Sequence, residues 1–214
     1  SEAREAGQDV GDVVVVQSTD SLRAKYFNSQ LDGYNIIIRG IENDEYVERI
    51  ERVRVVGKAI VAEENWKDVQ TLACKESINW IVSNATEEGY RLEVNDLIDN
   101  PRSFPAKVAS VLFSRFNAGL SGMCLLPCEL LAQNGRKLQE LVLRQSTAWN
   151  LPDSFLGWLS FDCIWADTLV DRIVSRPPVD HPLSESDRLL AVAEPFAFWG
   201  IQASKKLPLF SHPS

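Results

Sequence analysis

Four short apolar runs punctuate the chain: GDVVVVQ (11–17), INWIVSN (78–84), GMCLLPCE (122–129) and TLVDRIV (168–174). The first three are too short for a helix and lack the alternation of a strand with one wet face. They read as strands covered on both sides. Between them lie longer stretches whose apolar residues recur at helical spacing. Buried strands alternating with amphipathic helices join by right-handed crossovers into a mainly parallel sheet, so the expected class is α/β.

The intervening segments carry their own signals. YNIIIRG (34–40) and YVERIERVRVV (46–56) flank IENDE, and charges alternate imperfectly with Val47, Ile50, Val53 and Val55. An antiparallel hairpin with one wet face is expected there, after an irregular segment ending in the turn Asp32-Gly33. Asn65 caps a helix running to about Lys75, with Trp66, Val69 and Leu72 inward. Ser103 opens another, with Pro105 in its first turn and a stripe of Val108, Val111, Leu112, Arg115 and Phe116. Asn134 or Gly135 begins a third, facing inward through Leu138, Leu141, Val142 and Gln145. A short helix within 152–161 takes Asp153 or Ser154 as its cap. Residues 176–187 contain three prolines and form a loop.

Composition excludes several classes. The chain has 214 residues and a formal charge of −8, with no Lys/Arg cluster beyond pairs such as Arg136-Lys137 and Lys205-Lys206, so nucleic acid and anionic membranes are poor partners. No stretch approaches the roughly 20 consecutive apolar residues of a spanning helix. SEAREAGQDV at the start is no signal peptide, and a cytoplasmic location is expected. Cys74, Cys124, Cys128 and Cys163 sit among apolar neighbours and read as small buried thiols. The six tryptophans read mainly as core.

The strand ends are the candidate site. In open α/β sheets ligands bind beyond the carboxyl ends of the strands. Here the runs finish in Ser18-Thr19-Asp20, in Ser83-Asn84-Ala85-Thr86-Glu87 and in Cys128-Glu129, while the fourth carries Asp171-Arg172. Parallel neighbours would bring these hydroxyls, amides and carboxylates to one rim; the bland alternative is that strand ends are polar where they return to solvent. Asp20 is placed to accept hydrogen bonds from an adenosine ribose, or else it caps a turn. No G-x-G-x-x-G follows any strand. His181 and His212 lie far apart in a proline-bearing loop and the tail, so neither a zinc site nor a Ser-His-Asp triad is expected.

IIIRG, IVSNATEEGY, SFPAKVASVLFSRF, LLPCELLAQNGRKLQELVLR, TLVDRIVS and AEPFAFW occur in the order found in the polyol-specific long-chain dehydrogenases, the mannitol dehydrogenase family. The resemblance spans roughly residues 11–202, and PCELLAQNG with ELVLR resembles the tagaturonate reductase (altronate oxidoreductase) branch. It implies a Rossmann-like domain with helices on both faces of the sheet, an inserted hairpin, NAD as cofactor, and metal-independent interconversion of an alcohol and a ketone on an open-chain sugar acid. A lysine base and an oxyanion partner suffice for that chemistry.

By the same resemblance, residues 1–202 are an incomplete dinucleotide-binding domain. The family's glycine-rich phosphate loop precedes VVVV, outside this sequence. Residues 203–214 are a tail leading towards a helical substrate domain, which would hold the catalytic Lys, Asn and His and be the chain's partner; no catalytic residue is expected here, and Lys205 and Lys206 do not fill that role. Asp20 becomes the ribose-side acid, and Ser83, Asn84, Thr86 and Glu87 line the cofactor. Glu129, Asn134, Asp171 and Arg172 lie on the substrate and nicotinamide side. Two positions depart from the family: Leu130 replaces the asparagine that contributes to the oxyanion site in mannitol dehydrogenases, and Trp165 stands where Phe or Ser is usual. Fructuronate reductase, mannitol 2-dehydrogenase and a non-catalytic interaction module are the rival expectations.

Overall fold

The computed structural model describes residues 11–19, 21–30, 32–202 and 207. In chain order the elements are β1 (Val13–Gln17), α1 (Ser21–Ser29), β2 (Tyr34–Glu42), β3 (Glu45–Val53), β4 (Val56–Val61), α2 (Trp66–Ala73), β5 (Trp80–Ser83), a 3-10 turn (Glu87–Gly89) and α3 (Phe104–Asn117). Then follow β6 (Cys124–Pro127), α4 (Asn134–Ala148), α5 (Asp153–Phe161), β7 (Ile164–Trp165), β8 (Asp167–Asp171), β9 (Val174–Ser175), β10 (Ala191–Ala193) and β11 (Phe198–Gln202). The described residues divide into two compact units, one holding those up to Asn65 together with Asp171–Phe198, the other Trp66–Val170 together with 199–202 and Leu207.

In the first unit β1 and β4 pair in parallel, from Val14 opposite Lys58 to Gln17 opposite Val61. A second sheet has the order β3-β2-β10-β9, with β2 parallel to β10 and antiparallel to β3. The β2–β3 hairpin turns on Asn43 and Asp44, with φ of 53° and 64°. Two successive left-handed residues match the twist of a tight hairpin, and Asn and Asp tolerate them better than most side chains. The buried Asp187 carboxylate ties the proline-bearing loop down by accepting from Gln30 Nε2 (2.8 Å) and from the backbone N–H of Asn35 (2.6 Å).

The second unit is built on β5-β6-β7, all parallel, with β8 and β11 paired beside them in a separate two-stranded sheet. β6 is buried at all four positions. Its Leu125 meets Leu112 of α3, Leu138 and Val142 of α4, and Phe155 and Leu159 of α5 in one apolar cluster, while Cys124 and Leu126 pack with Ala166 in another. Phe155, with no exposed surface, stacks edge-on to Phe113 at 5.1 Å and beside Phe116 at 5.3 Å. Burying such a ring contributes about 2–3 kcal/mol. α3 opens as its sequence dictates, with Ser103 Oγ accepting from Ala106 N–H and Pro105 in the first turn.

Several sequence expectations need correction. Residues 21–29 are helical, not irregular; α1 buries only Ala24, so it has no apolar stripe to announce it. Val13 and Val16 are 47% and 40% exposed, so β1 is not covered on both faces among the described residues. VRVV continues into β4, a separate strand that leaves the hairpin to pair with β1. α5 takes Pro152 as its cap residue, without a side-chain bond from Asp153 or Ser154. Cys74 is exposed and Cys128 half-buried; only Cys124 and Cys163 are buried thiols, and none of the four is in a disulfide. Trp66, Trp158 and Trp165 are core, whereas Trp199 is exposed.

Candidate active site at the strand exits

Parallel pairing aligns the ends of β5 and β6, with Ser83 opposite Pro127, and Cys128 N–H extends the ladder by donating to Ser83 O at 2.7 Å. Beyond Ser83 the chain bends through Asn84-Ala85-Thr86 into the 3-10 turn. Gly89 N–H donates to Thr86 O (2.8 Å) and Tyr90 N–H to Glu87 O (3.1 Å). Thr86 is extended and its hydroxyl does not cap this turn.

Two buried side chains fix these exits. Glu129, only 3% exposed, accepts from Ala85 N–H through Oε1 (2.8 Å) and from the Tyr90 hydroxyl through Oε2 (2.9 Å). Asn134, the first residue of α4, has no exposed surface; its Nδ2 donates to Pro127 O, Glu129 O and Thr168 O, each at 2.9 Å. Its Oδ1 accepts from Gly135 and Thr168 N–H, also at 2.9 Å. The Thr168 hydroxyl closes the set by donating to Pro127 O. A Cβ at Gly135 would lie 2.2 Å from Ala166 O, so glycine is what allows α4 to begin this close to β8.

The sequence-predicted residues therefore fall into separate groups. Ser83, Asn84, Thr86 and Glu87 share one rim, and their side chains make no hydrogen bond or ion pair among the described residues; Asn84, Thr86 and Glu87 are exposed. Glu129 and Asn134 lie behind that rim, bonded to the backbone they hold and, for Glu129, to the Tyr90 hydroxyl as well. Asp171 and Arg172 belong to the other unit. Both are exposed, and they do not pair with each other: Arg172 donates from Nε and Nη2 to Glu194 O at 3.1 and 3.0 Å. Asp171 ends β8 with no side-chain partner among the described residues. Asp20, Lys205 and Lys206 lie outside the described residues, as does the tail apart from Leu207.

Tyr90 and Thr168 were not singled out in the sequence. Tyr90 closes the block IVSNATEEGY, and a phenol set into an apolar surround needs a partner for its hydroxyl. Burial, reinforced by the negative charge of Glu129 and the hydrogen bond to it, raises the Tyr90 pKa far above its ordinary value. At Cys128 burial likewise raises the thiol pKa, partly offset by Thr168.

An open cavity of about 590 Å³ adjoins the loop, between Glu87, Tyr90 and Arg91 on one side and Leu131, Lys137, Leu141 and Arg144 on the other. Leu141, expected inside the core, instead lines this cavity from the outer side of α4.

A family model described as the mannitol dehydrogenase Rossmann domain matches residues 6–208. The chain belongs to the mannitol dehydrogenase family. It is 36% identical over 210 residues to the altronate oxidoreductase of Halalkalibacterium halodurans, covering 92% of this chain and 41% of that protein. It is 32% identical over 214 residues to the altronate oxidoreductase of Bacillus subtilis, covering 92% and 45%. The chain thus spans less than half the length of these curated relatives. Among solved structures it is similar to the Pseudomonas fluorescens mannitol 2-dehydrogenase ternary complex with NAD and D-mannitol, with a TM-score of 0.78 at 18% identity over 94% of this chain and 44% of that one. A D-sorbitol dehydrogenase in substrate-free form superposes with a TM-score of 0.74 at 19% identity, covering 92% of this chain and 45% of the other. These likenesses establish the Rossmann-like α/β fold expected from the sequence. Among the described residues no helix is long and apolar enough to cross a membrane.

Proposed function

We propose that this chain is the nucleotide-binding half of an NAD-dependent oxidoreductase that interconverts D-altronate and D-tagaturonate in the cytoplasm. The observation that carries the reading is the rim beyond β5, where Ser83, Asn84, Thr86 and Glu87 present side chains with no partner among the described residues, backed by buried Glu129 and Asn134. Hydroxyl, amide and carboxylate groups of this kind suit the ribose hydroxyls and carboxamide of a nicotinamide nucleotide, and they stand where such folds bind one. By the family resemblance Asp20, which lies outside the described residues, would be the ribose-side acid. The names of the curated relatives and the bound NAD of the mannitol 2-dehydrogenase complex support the same assignment.

NAD supplies the hydride acceptor when bound. The contribution of this chain is to orient the nucleotide and keep the rim rigid. The proton of the alcohol is taken by a lysine in the substrate domain, with asparagine and histidine steadying the oxyanion, so sequence beyond these 214 residues completes the site. Asp171 and Arg172 serve the substrate side, at the junction with that domain.

Calorimetric titration with NADH, on this chain and on the complete protein, tests the reading. The complete protein binds NADH and oxidises it with tagaturonate in preference to fructuronate or fructose; preference for either of the latter moves the substrate to fructuronate reductase or mannitol 2-dehydrogenase chemistry. A complete protein that binds no NADH is instead an interaction module on the same scaffold. NADH oxidation by the isolated 214-residue chain would overturn the placement of the lysine base outside it.

A further inference from the structure

We propose that Glu129 is a positioning residue that fastens the cofactor-side loop at both ends. The inference rests on the reading of Thr86 and Glu87 as cofactor-side groups. A carboxylate that is 3% exposed touches no ligand directly. Its two oxygens reach two points of one short loop, Ala85 where the chain leaves β5 and Tyr90 where the 3-10 turn ends. Between those points Thr86, Glu87 and Glu88 stand out towards solvent, and the turn is held within itself by its two backbone bonds. Without the carboxylate the loop remains attached by the chain and by the packing of Tyr90 on Phe104 at 5.8 Å and on the apolar cluster, with no polar bond from Glu129 to set its position.

The anchor is itself anchored. Glu129 O accepts from Asn134 Nδ2, which is held against Pro127 at the end of β6 and Thr168 at the start of β8. The position of Glu87 is thereby referred to the rigid part of the sheet through one carboxylate and one carboxamide. A group that must approach a bound nucleotide within hydrogen-bond distance requires such a reference, because a loop misplaced by about 1 Å loses most of the benefit of orientation. Glutamine at 129 preserves the shape: Oε1 accepts from Ala85 N–H and Nε2 donates to the Tyr90 oxygen. Alanine removes both bonds.

Hydrogen exchange and NADH titration on Glu129→Ala, Glu129→Gln and Tyr90→Phe form the test. In Glu129→Ala the bonded amides of the loop, those of Ala85, Gly89 and Tyr90, exchange about ten- to a hundred-fold faster, while Leu125 and Leu126 in β6 keep their protection. Glu129→Gln recovers most of the loop's protection, and Tyr90→Phe loses it only at the 3-10 turn. NADH binding by the complete protein weakens in the same order. Unchanged loop protection in Glu129→Ala, or loss spread evenly through β6, overturns the proposal. So does a loop that loosens with no change in NADH affinity. If the unsubstituted protein binds no NADH, the nucleotide reading falls, and the exchange rates alone decide whether Glu129 holds the loop. Should Glu129→Ala not fold, Glu129→Gln and Tyr90→Phe carry the comparison.

Discussion

Asn134 and Thr168 meet as two strands would: the Asn134 carboxamide donates from Nδ2 to Thr168 O and accepts through Oδ1 from Thr168 N–H, both at 2.9 Å. A side chain thus imitates a backbone neighbour and joins the start of α4 to β8. Asn134→Asp keeps the shape but turns an oxygen towards the carbonyls of Pro127, Glu129 and Thr168. We expect it to destabilise the chain by roughly 3 kcal/mol, read from urea denaturation, and to cost more than Asn134→Ala, because it buries opposed acceptors as well as breaking bonds.

The same junction makes Gly135 indispensable. In an ordinary helix Gly→Ala gains up to about 1 kcal/mol. Here the added Cβ would lie 2.2 Å from Ala166 O, a backbone atom that cannot swing aside. Gly135→Ala should therefore destabilise by about 2 kcal/mol despite its better helix propensity, lowering the urea midpoint without changing the slope.

Tyr90 gives the chain a pH dependence at the alkaline end. Its pKa is raised in the folded state from an ordinary 10.0 by burial and then by Glu129. A raised acid contributes stability that is complete below the unfolded pKa and declines as pH climbs past it towards the folded value. Melting temperatures measured from about pH 9 to about pH 11 should fall in the wild type, and fall less in Tyr90→Phe, which has no proton to lose there.

How far the letters reached can be seen at the same residues. WIVS and CLLP announced strands because no polar residue interrupts them, and parallel order followed from the helices between. Polar residues at their ends located the rim. What the letters could not separate was Thr86 from Glu129: both are polar and follow a strand, yet one faces solvent and the other is buried against Ala85 and Tyr90. That division depends on where the chain turns after each strand, which periodicity does not encode. α1 was missed because Ser21–Ser29 buries a single residue, and β7 because Ile164-Trp165 is too short to show a period. The letters of Asp171-Arg172 likewise do not show that β8 ends at Asp171 and that Arg172, just beyond it, turns to Glu194 O.

Arg115 shows the opposite case, where helical spacing correctly marked a charged residue as inward-facing. The guanidinium is 1% exposed and has no carboxylate partner among the described residues. It donates from Nη1 to the carbonyls of Ala73 (2.9 Å), Lys75 (3.1 Å) and Ile78 (2.8 Å), from Nε to Ser121 O (2.7 Å) and from Nη2 to Asn79 Oδ1 (3.2 Å). The planar fork thereby satisfies the end of α2, the approach to β5 and the turn before β6 together, a geometry that a lysine ammonium cannot span. Arg115→Met supplies comparable bulk but leaves those acceptors dry and unpaired. We expect a loss of at least about 3 kcal/mol, with Arg115→Lys intermediate. Urea melts give the order directly; a methionine variant as stable as the wild type would mean that water replaces the guanidinium at those carbonyls.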